Sequence, residues 1–166
     1  MVHEMSIYGF TLDTSEQMPV VILKDTKGEH SLPVWITTEE AVAIAVEIIT
    51  SDIITKTGGG DVMTRMLDQL RLLLERISID DVNDGVFTST LLLSGAQESV
   101  TMPVRPSEAI VMSLKYRLPI RIEDEVLSRV SSAPLSEAEI PVQADAQKYL
   151  EMLEGLSPDK LNKYPM

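Results

Sequence analysis

Residues 104–127 read VRPSEAIVMSLKYRLPIRIEDEVL, and the pattern within them decides the fold. Pro106 sits where a first helical residue belongs, because its missing N–H would be unpaired there anyway. Glu108, two residues on, faces the positive end of the helix dipole. Ala109, Ile110, Val111, Met112 and Leu114 then make the helix apolar over most of its circumference, the pattern of a buried helix. Leu118-Pro119 stops it. Ile120–Ile122 reads as a short strand before the acidic turn Glu123-Asp124-Glu125.

The chain does nearly the same thing 68 positions upstream, where Thr37-Thr38-Glu39-Glu40-Ala41-Val42-Ala43-Ile44 lines up with Arg105-Pro106-Ser107-Glu108-Ala109-Ile110-Val111-Met112. Thr37 and Glu40 have capping-box spacing, and Glu108 takes the position of Glu40. Val34 and Ile36 match Met102 and Val104 in the strand feeding each helix. A duplicated strand–strand–helix unit accounts for the pattern.

Outward from these two anchors, strands are expected at Ser6–Asp13, Pro19–Lys24 and His30–Ile36, followed by a helix at 38–50 too apolar to lie on a surface. A loop over 51–60 ends in Gly58-Gly59-Gly60. Asp61 then caps a helix over 62–75, with Val62, Met66, Leu70, Leu73 and Leu74 as its apolar face. Strands follow at Ile77–Val82, Val86–Leu93 and Ser99–Val104, with Asn83–Gly85 as a tight hairpin turn. The fold class is therefore α+β: duplicated strand-strand-strand-helix units forming a largely antiparallel sheet with buried helices. One domain spans 1–128. Residues 129–166 read as a proline-interrupted linker and an amphipathic tail helix, Gln143–Leu156, that packs on the domain or on a second subunit. A homo-oligomer is the expected state.

The motif RPSEAI, followed by a basic helix end and LPI, resembles the arginine-proline-serine-acidic-alanine signature of the bifunctional nuclease domain family. PVVILKD at 19–25, LPVWI at 32–36 and the hairpin Asp84-Gly85-Val86-Phe87 match that family in the same order. The resemblance covers roughly residues 5–128. It implies a metal-dependent nuclease acting on DNA or RNA, with Mg²⁺ or Mn²⁺ as cofactor. Glu108 and Asp61 would be the catalytic and metal-binding carboxylates, and Arg105 and Ser107 the substrate-binding residues. Two positions depart from the family pattern: Gly60 stands where a histidine precedes the aspartate, and Pro103 where an aspartate precedes the arginine stretch. Both departures favour the alternative, a non-catalytic ligand- or protein-binding regulatory module with a decayed site.

Composition narrows the choices. The chain of 166 residues has no cysteine, so a disulfide framework, a thiolate metal site and a thiol nucleophile are all excluded. No basic region precedes an apolar run at the start, and no stretch approaches the ~20 apolar residues of a membrane span; a cytoplasmic location is expected. Residues 1–128 hold 20 acids against 10 bases, a net of −10. Nucleic-acid surfaces are normally basic, so this charge disfavours a nucleic-acid partner unless metal ions bridge carboxylate and phosphate.

Each candidate residue also has a plain structural reading. Glu108 serves the helix dipole as Glu40 does, or binds metal or acts as a base. Arg105 offers no acceptor at an N-cap; it recognises phosphate through its forked donors or makes an internal ion pair. Asp61 is an N-cap, or opens a glycine-rich loop to phosphate. Ser107 has no neighbouring histidine to activate it as a nucleophile. His3 and His30 lie far apart in sequence without HxH or HExxH spacing, which argues against zinc. Asp80, Asp81 and Asp84 read as a solvated turn, and Trp35 as a core or interface aromatic.

Overall fold

Two antiparallel meanders, each leading into a helix, repeat one wiring scheme in the computed structural model, which describes residues 1–13, 15–57, 61–130 and 140–141, with backbone alone at 51–57 and 140–141. The first comprises β1 (Val2–Asp13), β2 (Met18–Asp25), β3 (Ser31–Trp35) and α1 (Thr38–Thr57). After α2 (Val62–Leu70), the second comprises β4 (Leu73–Asn83), β5 (Val86–Ser94), β6 (Ser99–Val104) and α3 (Pro106–Tyr116). β7 (Ile120–Glu123), α4 (Asp124–Val130) and β8 (Ile140–Pro141) complete the described elements. The sheet order is β3-β2-β1-β7-β4-β5-β6, with β8 paired to β1 beside this path. β7 joins the two halves, antiparallel to β1 and parallel to β4. The fold is α+β with a mostly antiparallel sheet.

The repeat shows in burial as well as order. Ala41 and Ala109 are both fully buried, and Ile44 and Met112, three residues on from each, are buried at 0% and 6% exposure. In β5, Phe87, Ser89, Leu91 and Leu93 point inward at period two. In β4 the inward residues are Leu74, Ile77 and Ile79; the break in period falls at a register shift between Leu74 and Arg76, where one extra residue is absorbed. The hairpin after β4 turns on Asp84 and Gly85, with φ of 49° and 78°. Positive φ at both central residues is the twist that matches flanking strands.

Several sequence expectations need correction. β1 begins at Val2 rather than Ser6, because Val2–Met5 pair with β7. α1 continues through the expected loop to Thr57, and it is not buried all round, since Val46 and Ile49 are exposed. α2 stops at Leu70. Arg71 adopts a left-handed conformation, φ 54°, and its N–H and that of Leu72 close back on Asp68 and Leu67. Leu73 and Leu74 therefore belong to β4. The apolar face expected for this helix points outward: Val62, Met66, Leu70 and Leu73 are all exposed. Polar anchors set the rotation instead, for Asp61 bonds Lys115 and Thr64 Oγ1 lies 3.1 Å from Tyr116 Oη, which turns Leu67 toward the core.

The expected tail helix, 143–156, lies outside the described residues. Within 129–166, α4 carries on to Val130, and Ile140–Pro141 pair with Phe10 and Gly9. Among the described residues no helix is long and apolar enough to cross a membrane.

Equivalent burial at Ile44 and Met112 sets an experiment. Ile44→Asp and Met112→Asp should each destabilise the fold by several kcal/mol, because either buries an unpaired carboxylate. Val46→Asp, on the exposed side of α1, should stay within about 1 kcal/mol of wild type in urea unfolding. Equal midpoints for Val46→Asp and Ile44→Asp would show that α1 does not bury the face described.

Candidate functional site

The helix starts created by the repeat converge on one cation. At α1 the capping box is reciprocal: the Thr37 N–H donates to Glu40 Oε2 at 2.9 Å, and the Glu40 N–H to Thr37 Oγ1 at 3.2 Å. At α3 only half of it survives. The Arg105 N–H donates to Glu108 Oε2 at 2.8 Å, but the arginine has no acceptor with which to reciprocate. Its guanidinium is left to reach carboxylates, Glu108 Oε1 at 3.0 Å and Glu40 Oε1 at 3.5 Å. The side-chain bond from Arg105 holds the Glu108 carboxyl below the usual carboxylate range, and Glu108 in turn raises Arg105.

A second charged group lies along the same helix pair. Lys115 Nζ bonds Asp61 Oδ2 and lies 4.0 Å from Glu47 Oε2. Asp61 Oδ1 meanwhile accepts the Thr64 N–H at 2.9 Å, capping α2. Burial pushes the Asp61 carboxyl up, but the Lys115 and Thr64 hydrogen bonds outweigh it and hold the group down at about 2. For Lys115, burial works to lower the ammonium, and Asp61 with Glu47 more than compensates.

Between these groups lies a cleft of about 490 Å³, lined by Glu40, Met102, Arg105, Ser107, Glu108 and Lys115 among others. Ser107 is 5% exposed, and its hydroxyl has no hydrogen-bond partner among the described residues. A buried hydroxyl left unpaired costs about 1–3 kcal/mol, so its place on a cleft wall marks it as a group that a ligand could satisfy.

The structure thus brings Arg105, Ser107 and Glu108 together on one wall. Asp61 does not line the cleft; it joins only through Lys115. Sequence reading missed Glu40 and Lys115 as site residues. The repeat held the signal for Glu40, which occupies the position equivalent to Glu108. Lys115 belonged to the basic helix end of the signature, with nothing local to tie it to Asp61. Pro103 also lines the cleft, so its wall is apolar where the family resemblance puts an aspartate.

Hard carboxylate oxygens are the right donors for Mg²⁺ or Mn²⁺. Their arrangement does not fit such an ion, because Glu108 and Glu40 sit on Arg105 and Asp61 on Lys115. Nor do they form one of the converging groups of three ligands among the described residues. The other candidates have structural roles. Asp81 caps its own turn and pairs with Arg129, and Trp35 Nε1 donates to Asp13 Oδ2 at 2.8 Å. His3 and His30, far apart in sequence, have ring centroids 4.5 Å apart.

Comparison with known proteins agrees with the motif reading. A family model described as the bifunctional nuclease domain matches residues 21–134. Uncharacterised proteins from two strains of Mycobacterium tuberculosis are each 27% identical over 169 residues, covering 94% of this chain and 96% of the relative.

The lowered Asp61 carboxyl has a pH signature. A depressed folded-state pKa contributes stability that is present above the ordinary carboxylate value of 3.8 and is lost as pH falls through about 2. Asp61→Asn retains a capping side chain but not the charge, so it should be less stable than wild type at pH 6, with the gap closing toward pH 2. Urea midpoints at the two pH values measure it; a constant gap would show that the charge on Asp61 contributes nothing.

Proposed function

We propose that this chain, which belongs to the bifunctional nuclease domain family, cleaves phosphodiester bonds of DNA or RNA at the cleft between α1, α3 and β6. The observation that carries this reading is the clustering of phosphate-type donors on one wall. The Arg105 fork, the unpaired Ser107 hydroxyl and Lys115 all line the space next to Glu108. Arginine grips phosphate through paired N–H groups, and the start of α3 adds backbone N–H groups and the positive end of a helix dipole.

Charge bookkeeping supports exchange at Arg105. Its side chain is 66% exposed, and exposed ion pairs contribute only about 0–1 kcal/mol. A phosphate can therefore displace Glu40 or Glu108 from the guanidinium at small cost. Glu108 is poorly suited to general-base work, because a carboxyl held below its usual range accepts protons weakly. Its role is electrostatic, holding Arg105 at the cleft, while Asp61 acts only through Lys115. A divalent cation arriving with the substrate would offset a net charge of −12 that otherwise repels a polyanion. No histidine lines the cleft, so Ser107 binds rather than attacks.

A second reading rests on the pairing itself. With Glu108 and Asp61 already bound to cations, and Ala43, Met63, Leu91 and Val111 as apolar walls, the cleft also suits a small acidic ligand held without chemistry.

Cleavage of plasmid DNA and single-stranded RNA by the purified chain separates the two. The nuclease reading expects turnover with Mg²⁺ or Mn²⁺ that stops on chelation. Glu108→Gln should abolish it while losing only about 0.3–1 kcal/mol of dipole stabilisation. Arg105→Lys should weaken substrate binding, because one ammonium does not reproduce a fork. A contaminating nuclease would ignore both substitutions. Metal-independent or absent cleavage, or variants as active as wild type, would remove the catalytic reading. Retained anion binding lost in Arg105→Lys would then favour the ligand-binding module.

A further inference from the structure

A cluster away from the cleft has the composition and geometry of a metal site. His3 on β1, Asp25 at the end of β2 and His30 just before β3 each present one ligand atom, and these atoms lie within 4.8 Å of one another. His30 Nδ1 is 3.0 Å from Asp25 Oδ2, and His3 Nδ1 is 4.0 Å from the same oxygen. Zinc bonds of about 2.0–2.1 Å in a tetrahedral shell separate donor atoms by roughly 3.3 Å. Side-chain adjustments on the order of an ångström would therefore close these three onto one ion.

The surroundings prepare each ligand. Asp25 Oδ1 accepts the backbone N–H groups of Glu29 and His30 at 2.9 and 3.3 Å, which holds the carboxylate and leaves Oδ2 to face the rings. On the far side of His3, Nε2 bonds the carboxylate of Asp124 at the start of α4, while the other oxygen of Asp124 lies 3.5 Å from the N-terminal ammonium. With Nε2 engaged by Asp124, Nδ1 is the ring nitrogen left facing Asp25. A divalent cation would bridge that nitrogen and the carboxylate oxygen 4.0 Å from it. A carboxylate fixing the tautomer of a ligating histidine is the usual outer partner of such sites. The side chains of His3 and Asp25 are 10% and 7% exposed, whereas His30 is 44% exposed and leaves a way in.

We propose that His3, Asp25 and His30 bind one zinc-class divalent cation, with Asp124 orienting His3. Imidazole donors select zinc-class metals over Mg²⁺, so this site differs from the Mg²⁺ or Mn²⁺ expected at the cleft and shares no residue with it. Three protein ligands leave a fourth position for water. The ion would tie the N-terminal strand to the β2–β3 hairpin, across residues separated by 27 positions between His3 and His30. The bland reading, in which His3 is an imidazolium shared by two aspartates, needs no metal and makes the opposite forecast.

Full-length protein stripped with chelator and titrated calorimetrically with Zn²⁺ alone decides between them. The expected result is one ion per chain at micromolar affinity or tighter, with a rise in Tm that Mg²⁺ does not reproduce. Co²⁺ substitution should give the intense visible bands of a tetrahedral ion. His30→Gln, at an exposed position that the fold tolerates, should abolish saturable binding, and Asp25→Asn should do the same. Asp124→Asn should weaken affinity about 10–100-fold, as loss of an outer carboxylate does. No saturable uptake by wild type, or uptake unchanged in His30→Gln, overturns the site.

Discussion

Two helices have to share one face of one sheet, and most of the structure follows from how they do it. α1 and α3 touch at Glu40–Arg105 near their starts and at Glu47–Lys115 further along. Both contacts advance in the same direction, so the helices run side by side with their N-termini together. Ala41 and Ala109, equivalent in the repeat and fully buried, keep the helix faces next to the sheet thin. The cleft exists because the two N-termini are neighbours. A duplication that had placed the helices head to tail would have put Glu40 and Glu108 at opposite ends of the molecule.

The departure from symmetry at the helix starts matters more than the symmetry. Thr37 closes its capping box and is finished, whereas Arg105 leaves a box half closed and turns its guanidinium to Glu108 and Glu40. A residue that is wrong for its local role is the kind of conflict that marks functional positions. Here the conflict gathers two glutamates around a cation next to a buried, unpartnered serine.

Sequence reading recovered what periodicity encodes. The meanders, the hairpin at Asp84-Gly85, the start of α3 and the repeat were legible because each is written in residues close together. It failed where distant polar partners decide. The apolar spacing of Val62, Met66 and Leu70 suggested an inward face, but the bonds of Asp61 and Thr64 to α3 fix the helix rotation, and those partners lie more than 50 positions away. The same limit hid Lys115 beside Asp61 and His3 beside His30. Strand pairing makes such neighbours without leaving any trace in local spacing. The signature motif named the family and the wall of the cleft, and Gly60 and Pro103 showed where the family pattern is broken.

β7 gives the chain a problem of timing. It is the strand that links the two half-sheets, yet it is among the last parts of the domain to be synthesised. At about 5–20 residues per second, roughly 5–20 s separate the emergence of β1 from that of the strand it must pair with. During that interval the N-terminal meander carries an open edge, the template for pairing with another nascent chain. His3 and Glu4 lie on the stretch of β1 that waits, and Arg76 and Asp80 flank the stretch of β4 that receives β7 from the other side. Charged and ionisable residues at open edges discourage premature partners. His3, Glu4, Arg76 and Asp80 are residue types suited to discourage such pairing until β7 arrives.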